Sequence, residues 1–196
     1  MAQPLKINFK VYQGSTFKEV FRWESSTKVY VPISGITKAA PCVVSTSVPH
    51  SMPQGWRFKV SNVLGMKEIN SDSTYHTAHS VTADTININS LNSLAYSAYT
   101  SDGVIEYNQP VDLTNTTARM QIREKLESTT PILELTTENG GILIDNVLKT
   151  ITIYISAADT TLLNFSAAVY SLELIKNSEV PPFLTGSVSL VKEVTR

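Results

Sequence analysis

The chain has 196 residues, room for one large or two small domains. Its hydrophobic share of 42 % is that of an ordinary globular protein, while charged residues reach only 17 %, so 22 serines and 22 threonines carry the polarity. The formal net charge of −1 excludes a general electrostatic pull towards nucleic acid or anionic lipid.

Ile7, Phe9 and Val11 alternate with Lys6, Asn8 and Lys10, the period-2 pattern of a strand with one buried face. Tyr12-Gln13-Gly14-Ser15 is a turn signal. The next run, TFKEVFRW, sets Phe17, Phe21 and Trp23 on one face, and the two strands read as a hairpin. Glu19 interrupts the apolar face, which points to an edge or to an irregularity near the turn. KVYVPI is a further short strand. From about Ser34 to Tyr107 the charges thin out and Ser, Thr and Asn rise. Strands are expected there at CVVST, WRFKVS, TYHTAHSV, TININ and GVIEY. Gly55, Gly65, Asn70-Ser71-Asp72-Ser73 and Ser101-Asp102-Gly103 mark the turns between them.

After Pro110 the first texture resumes. ARMQIR turns Ala118, Met120 and Ile122 inwards, and TITIYIS does so with Ile151, Ile153 and Ile155. VYSLELI buries Tyr170, Leu172 and Leu174. GSVSLVKEV buries Val188 and Leu190, with Lys192 at an edge or exit. Asn139-Gly140-Gly141 is a tight turn between strands. Ser156 caps a helix of about two turns, AADTTLLN, and the Asp159 carboxylate is placed to bond back to the cap nitrogen. Many closely spaced strands and one short helix define an all-β fold, a β-sandwich or small barrel, and not an alternating βα plan. The change of texture predicts that 34–107 is a second β-domain inserted into 1–33 plus 108–196. Its two ends should lie side by side, at a hairpin tip.

Residues suited to chemistry are scattered. Cys42 lies in an apolar strand and reads as a small buried hydrophobe, with no basic residue beside it to lower its pKa. His76 and His79 fall on opposite faces of a strand, which does not make a metal pair. His50, in VPHSMPQG, is expected to make a local backbone hydrogen bond. No Ser sits in a nucleophile elbow, and Asn139-Gly140-Gly141 is not a phosphate loop, since no lysine follows. Glu134 and Glu138 flank a strand end as solvated carboxylates; no pair of acids is set for glycoside hydrolysis. Arg57 and Lys59 beside Trp56 and Phe58 read as a half-buried strand and not as a single-strand nucleic-acid platform. The expectation is therefore no catalytic residue, no metal, no cofactor and no small-molecule substrate. Two apolar loop segments remain as candidate protein contacts: Tyr96 and Tyr99 in LAYSAYTSDG, and Pro182, Phe183 and Leu184 after Pro181. Each serves equally well to close its own domain's core. No apolar run approaches the roughly 20 residues that span a bilayer. MAQPLKINFK lacks the apolar core of a secretory signal, so synthesis in the cytoplasm is expected.

Several runs carry a resemblance. YQGSTFKEVFRW, DLTNTTARMQIR, LELTTENGGILID, TITIYISAADT, VYSLELI and GSVSLVKEVTR occur in the order found in a family of small tailed-phage virion proteins. That family is similar to the N-terminal domain of phage baseplate upper proteins. It carries Gly-Tyr where this chain has Asn115-Thr116. The middle block, from ITKAAPCVVSTS through VLGMKEIN to AYSAYTSDGVIEY, resembles a phage repeat. The repeat takes its name from the first-catalytic-cysteine-half (FCCH) domain of ubiquitin-activating enzymes. There His-Gly-Leu and Ser-Gly-Gly stand where this chain has His50-Ser51-Met52 and Ser101-Asp102-Gly103. The repeat is a β-barrel module of phage tails, so no ubiquitin chemistry comes with it and Cys42 is not carried over as catalytic.

The resemblance implies an immunoglobulin-like β-sandwich interrupted by an inserted FCCH-like β-barrel. It implies a structural, non-enzymatic virion protein at the tail, neck, baseplate or fibre-attachment region, assembled in the bacterial host cytoplasm. Its partners would be other virion structural proteins and copies of itself, with no nucleic acid and no membrane. A capsid decoration protein is the alternative, and a host-glycan-binding tail module a third reading.

Overall fold

The protein is described by a computed structural model covering residues 3–71 and 73–193. Asp72 of the expected turn and residues 194–196 of the closing run lie outside the described residues. In chain order the elements begin with β1 (Leu5–Lys6), β2 (Phe9–Tyr12) and β3 (Phe17–Arg22). Next come β4 (Glu24–Ile36), β5 (Cys42–Thr46), β6 (Arg57–Ser61), a 3-10 turn at Lys67–Ile69, β7 (His76–Thr77), β8 (Ser80–Val81), β9 (Thr85–Ile88) and β10 (Val104–Pro110). The chain continues through β11 (Thr117–Arg123), β12 (Leu133–Thr136), β13 (Ile142–Asp145), β14 (Thr150–Ile155), the helix α1 (Ala157–Leu162), β15 (Ala167–Ile175) and β16 (Pro182–Val191). The fold is all-β. It divides into two compact units, Met1–Arg22 with Asp112–Asn146 and Thr150–Arg196, and Trp23–Val111 with Val147–Lys149.

The first unit is a two-sheet sandwich. One sheet runs β1-β16-β15-β11-β12, with β2 also along β16; the other runs β13-β14-β3. In immunoglobulin lettering these are A′GFCC′ and DEB, with α1 between E and F. The alternation read from the sequence sets the faces. Ala118, Met120 and Ile122 of β11 are at most 1 % exposed, as are Ile151, Ile153 and Ile155 of β14. Each of these Met and Ile side chains removed from water contributes roughly 1.5–3 kcal/mol, and Ala118 less. Phe9 ties the layers together: it stacks on Tyr170 of its own sheet at 4.7 Å and meets Phe17 of the other edge-on at 5.3 Å.

The expected hairpin at the start of the chain does not form. β2 pairs in parallel with β16, while β3 pairs with β14 in the other sheet. Phe9 and Phe17 each need a buried place, and the two opposed sheets provide it. The turn at Gly14, with φ +76°, is therefore an arch between layers and not a hairpin loop. Gly140 likewise carries the chain from β12 to β13 across the sandwich. β3 pairs only with β14 and is an edge, one of the two readings of Glu19. Ser156 caps α1, accepting from the Asp159 N–H at 3.0 Å; the Asp159 carboxylate takes the Ser156 hydroxyl at 2.6 Å, not the cap nitrogen.

The second unit is one sheet in the order β7-β6-β10-β4-β5-β9-β8. Its two ends are halves of one run. His76–Thr77 pairs with β6, and Ser80–Val81, two residues on, pairs with β9. The sheet thus closes on itself as a small barrel, and TYHTAHSV, which reads as a single alternating strand, is its seam. Trp56, Phe58, Val60, Ile86, Ile88 and Ile105 fill the interior at 0 % exposure. β4 and β10 pair antiparallel from Pro32↔Val104 to Glu24↔Pro110, and the Val111 N–H reaches the Trp23 carbonyl at 3.0 Å. The divide therefore falls at 22/23 and 111/112, not at 33/34 and 107/108. KVYVPI and its flanks belong to a 13-residue barrel strand. The insertion point is the connection between β3 and β11, which joins the two sheets of the sandwich, and not a hairpin tip.

Candidate binding surface

The two aromatic segments singled out by sequence are built into the units that carry them. Tyr96 and Tyr99 are partly buried against the barrel core, and the Tyr99 hydroxyl donates to the carbonyls of Ile33 (3.2 Å) and Asp102 (3.0 Å). Pro182, Phe183 and Leu184 are not in a loop. They open β16, with Pro182 exposed, Phe183 partly covered and Leu184 at 1 % exposure opposite Leu172. The two segments lie in different units.

Cys42 is fully buried; burial pushes its thiol pKa up, and Sγ lies 3.6 Å from the Thr37 carbonyl. His50 makes the expected local bond, its Nδ1 accepting the Met52 N–H at 3.0 Å, and its Nε2 faces the Thr85 carbonyl at 3.3 Å. A ring that accepts at Nδ1 and donates at Nε2 is neutral, in line with a pKa lowered by burial. The Tyr107 hydroxyl donates to the His50 carbonyl. His76 is partly buried beside Phe58, with Nε2 facing the Ile69 carbonyl, while His79 is exposed. Arg57 grips Glu24 at 2.7 and 2.8 Å and sits over Tyr75, and Trp56 and Phe58 are wholly inside the barrel, where no base can stack on them. Among the described residues no group of three His, Cys, Asp or Glu is placed to hold a metal ion, and no helix is long and apolar enough to cross a membrane.

The surface that sequence reading missed is the outer face of the larger sandwich sheet. Strand pairing aligns Lys6, Thr185, Ser171, Gln121 and Glu134 in one row across five strands. The adjacent row runs Ser187, Val169, Arg123, with Asn8 beside Ser187 and its Oδ1 accepting the Ser187 N–H at 3.1 Å. Short side chains occupy the two central strands and long ones the flanks, so the face is a trough. Leu126, 83 % exposed, rises at one end, and the cavity measures about 490 Å³. Gly186 sits in its floor because the Ile7 carbonyl crosses where a Cβ would be. Arg123 is positioned by the carbonyls of Ser128 and Gln121, and Gln121 donates in turn to Glu134. No motif spacing announces this trough. It exists only once the register of four strands drawn from both ends of the chain is known.

No family model matches the chain, and no curated protein does. The likeness to phage virion proteins therefore rests on the residues quoted for it.

Proposed function

We propose that this chain is a structural protein of a tailed-bacteriophage virion, an adaptor at the tail, neck, baseplate or fibre-attachment region that acts by protein–protein assembly. The observation that carries the reading is conformational. The two families have glycine at three positions where this chain has Ser51, Asp102 and Asn115. At all three the backbone is left-handed, with φ of 53°, 61° and 55°. That region is the one glycine enters freely and other L-residues rarely. Matching quoted strings gives those three positions; independently, all three fall among the seven non-glycine residues with positive φ in the described chain. The two-unit architecture, a sandwich with a small barrel in one of its connections, also agrees with the composite resemblance.

The mechanism is geometric. A sandwich offers sheet edges, here β3, β12 and β13, to neighbours repeated around a symmetric particle, and the barrel extends the surface each copy presents. The partners are other virion proteins and further copies of this chain, and the protein resides in the virion after assembly in the host cytoplasm. Mass spectrometry of purified particles, followed by a side-chain-resolution reconstruction, tests this. The expected result is a stoichiometric chain in the tail, neck or baseplate. A position on the capsid surface would replace the adaptor with a decoration protein, and absence from particles would overturn the proposal.

A further inference from the structure

We propose that the trough on the outer face of β1, β16, β15 and β11 binds an acidic saccharide, with the sugar ring on the hydroxyl floor and its carboxylate paired with one of the two flanking cations, Lys6 or Arg123. The inference concerns the isolated chain and stands or fails apart from the virion reading. Four features carry it.

The first is size. A cavity of about 490 Å³ lies within the range of small-molecule sites and would hold one or two sugar rings. The second is chemistry. Ser171 and Ser187 present hydroxyls that both donate and accept, as sugar hydroxyls require, and Thr185, whose hydroxyl donates to the Tyr170 carbonyl at 3.2 Å, presents an acceptor. The third is rigidity. The floor is central sheet, with Leu184, Leu172 and Val188 fully buried beneath it, so little ordering is left for a ligand to impose. Val169 and Leu126 add the apolar wall against which the C–H face of a ring can lie.

The fourth feature selects an acid over a neutral sugar. One row away, Arg119 is paired with Glu173 at 3.0 Å. In the trough, Arg123 bonds only neutral oxygens, and the Lys6 ammonium makes no hydrogen bond or ion pair among the described residues. No acidic side chain lines the cavity. Glu134, the nearest acid in the row, lies beyond Gln121 and is held by it. Two cations with unmet charge at the sides of a hydroxylated trough are complementary to a carboxylate on a polyol.

The test is a titration of the ¹⁵N-labelled full chain, read by amide chemical shifts. The probes are glucuronic, galacturonic and N-acetylneuraminic acids, with glucose, acetate and a hexaglutamate peptide in parallel. At least one acid sugar should give saturable shifts at Ser171, Thr185 and Ser187 with a Kd of about 1 mM, roughly tenfold tighter than glucose or acetate. Lys6→Gln or Ser171→Leu should weaken that binding about fivefold or more with the rest of the spectrum unchanged. Failure of all three acid sugars overturns the proposal. So does equal binding of glucose, which removes the role of charge, or of acetate, which leaves only an anion site. Tighter binding of hexaglutamate assigns the trough to a protein segment instead. Unchanged affinity in both variants would place the ligand elsewhere.

Discussion

Ser51, Asp102 and Asn115 hold left-handed backbone without being glycine. The conformation costs an L-residue about 1–2 kcal/mol, least for Asn and Asp, whose short polar side chains tolerate it. Glycine would relieve that strain but lose roughly 0.5–1 kcal/mol to the greater freedom of the unfolded chain. Strain wins at Ser51 and the two terms nearly cancel at Asn115. Urea unfolding should therefore show Ser51→Gly stabilised by up to about 1 kcal/mol and Asn115→Gly unchanged within about 0.5 kcal/mol. A clear loss in Ser51→Gly would contradict this. His50 and His76 set a pH dependence at the same scale. Burial lowers both pKa values below the usual 6.5. The unfolded chain then takes up protons first as pH falls. Stability from this source is complete above about pH 6.5 and is lost as pH drops through the lower folded values. The urea midpoint should fall between about pH 7.5 and 5.5, above the range where carboxylates titrate, and fall less in His76→Gln. Equal slopes in the two proteins would remove His76 from the account.

At the scale of elements, β16 is the most constrained strand. It pairs antiparallel with β15 and in parallel with both β1 and β2, and the chain passes between those two pairings over Gly186. A methyl group there meets the Ile7 backbone, which cannot swing aside as a side chain can. Gly186→Ala should destabilise by about 1–3 kcal/mol, seen as a lower urea midpoint with an unchanged slope. Stability within about 0.3 kcal/mol of the parent would show that β1 can detach freely. The buried faces of β11, β14, β15 and β16 are legible in the sequence because period 2 depends on each strand alone. What connects strands is not. The turn at Gly14 looks the same whether it closes a hairpin or arches between layers, and only the burial demand of Phe9 and Phe17 across the sandwich decides. Tyr99 shows a related limit, since the sequence leaves contact and core closure equally open and the structure packs it against the barrel core. An aromatic in a polar run looks exposed until the core it completes is known. The trough is further still from the sequence, since Lys6, Asn8, Ser171 and Ser187 become neighbours only through cross-strand register.

On the scale of the whole molecule, the divide at Trp23 and Val111 gives a direct experiment. Replacing residues 23–111 by a short Gly-Ser turn should leave a folded sandwich, with dispersed methyl signals and a cooperative melt. Removing only residues 36–106 should behave worse. It leaves β4 nearly whole beside only residues 107–110 of β10, with Val31, Ile33 and Tyr107, all at most 6 % exposed in the barrel, turned out to water. Such a remnant is unstable in isolation and offers open edges for aggregation. If the shorter deletion is the better-behaved protein, the two units have been divided in the wrong place.

The parallel pairing of β2 with β16 also has a consequence in time. A ribosome delivers β2 well before β16, so the larger sandwich sheet lacks an interior strand until β16 has emerged. The barrel needs only residues that emerge by mid-chain. Contacts of long sequence separation form slowly, and unpaired strands are exposed while they wait. The inner unit should thus be complete while the outer one is still a set of loose strands. A chain ended after Lys149 should show a protease-resistant core spanning β4 to β10, with β1 to β3 and β11 to β13 digested. The nascent protein would then pass through a stage as a folded bead on an open string, tied shut only when its last strand slides in beside its first.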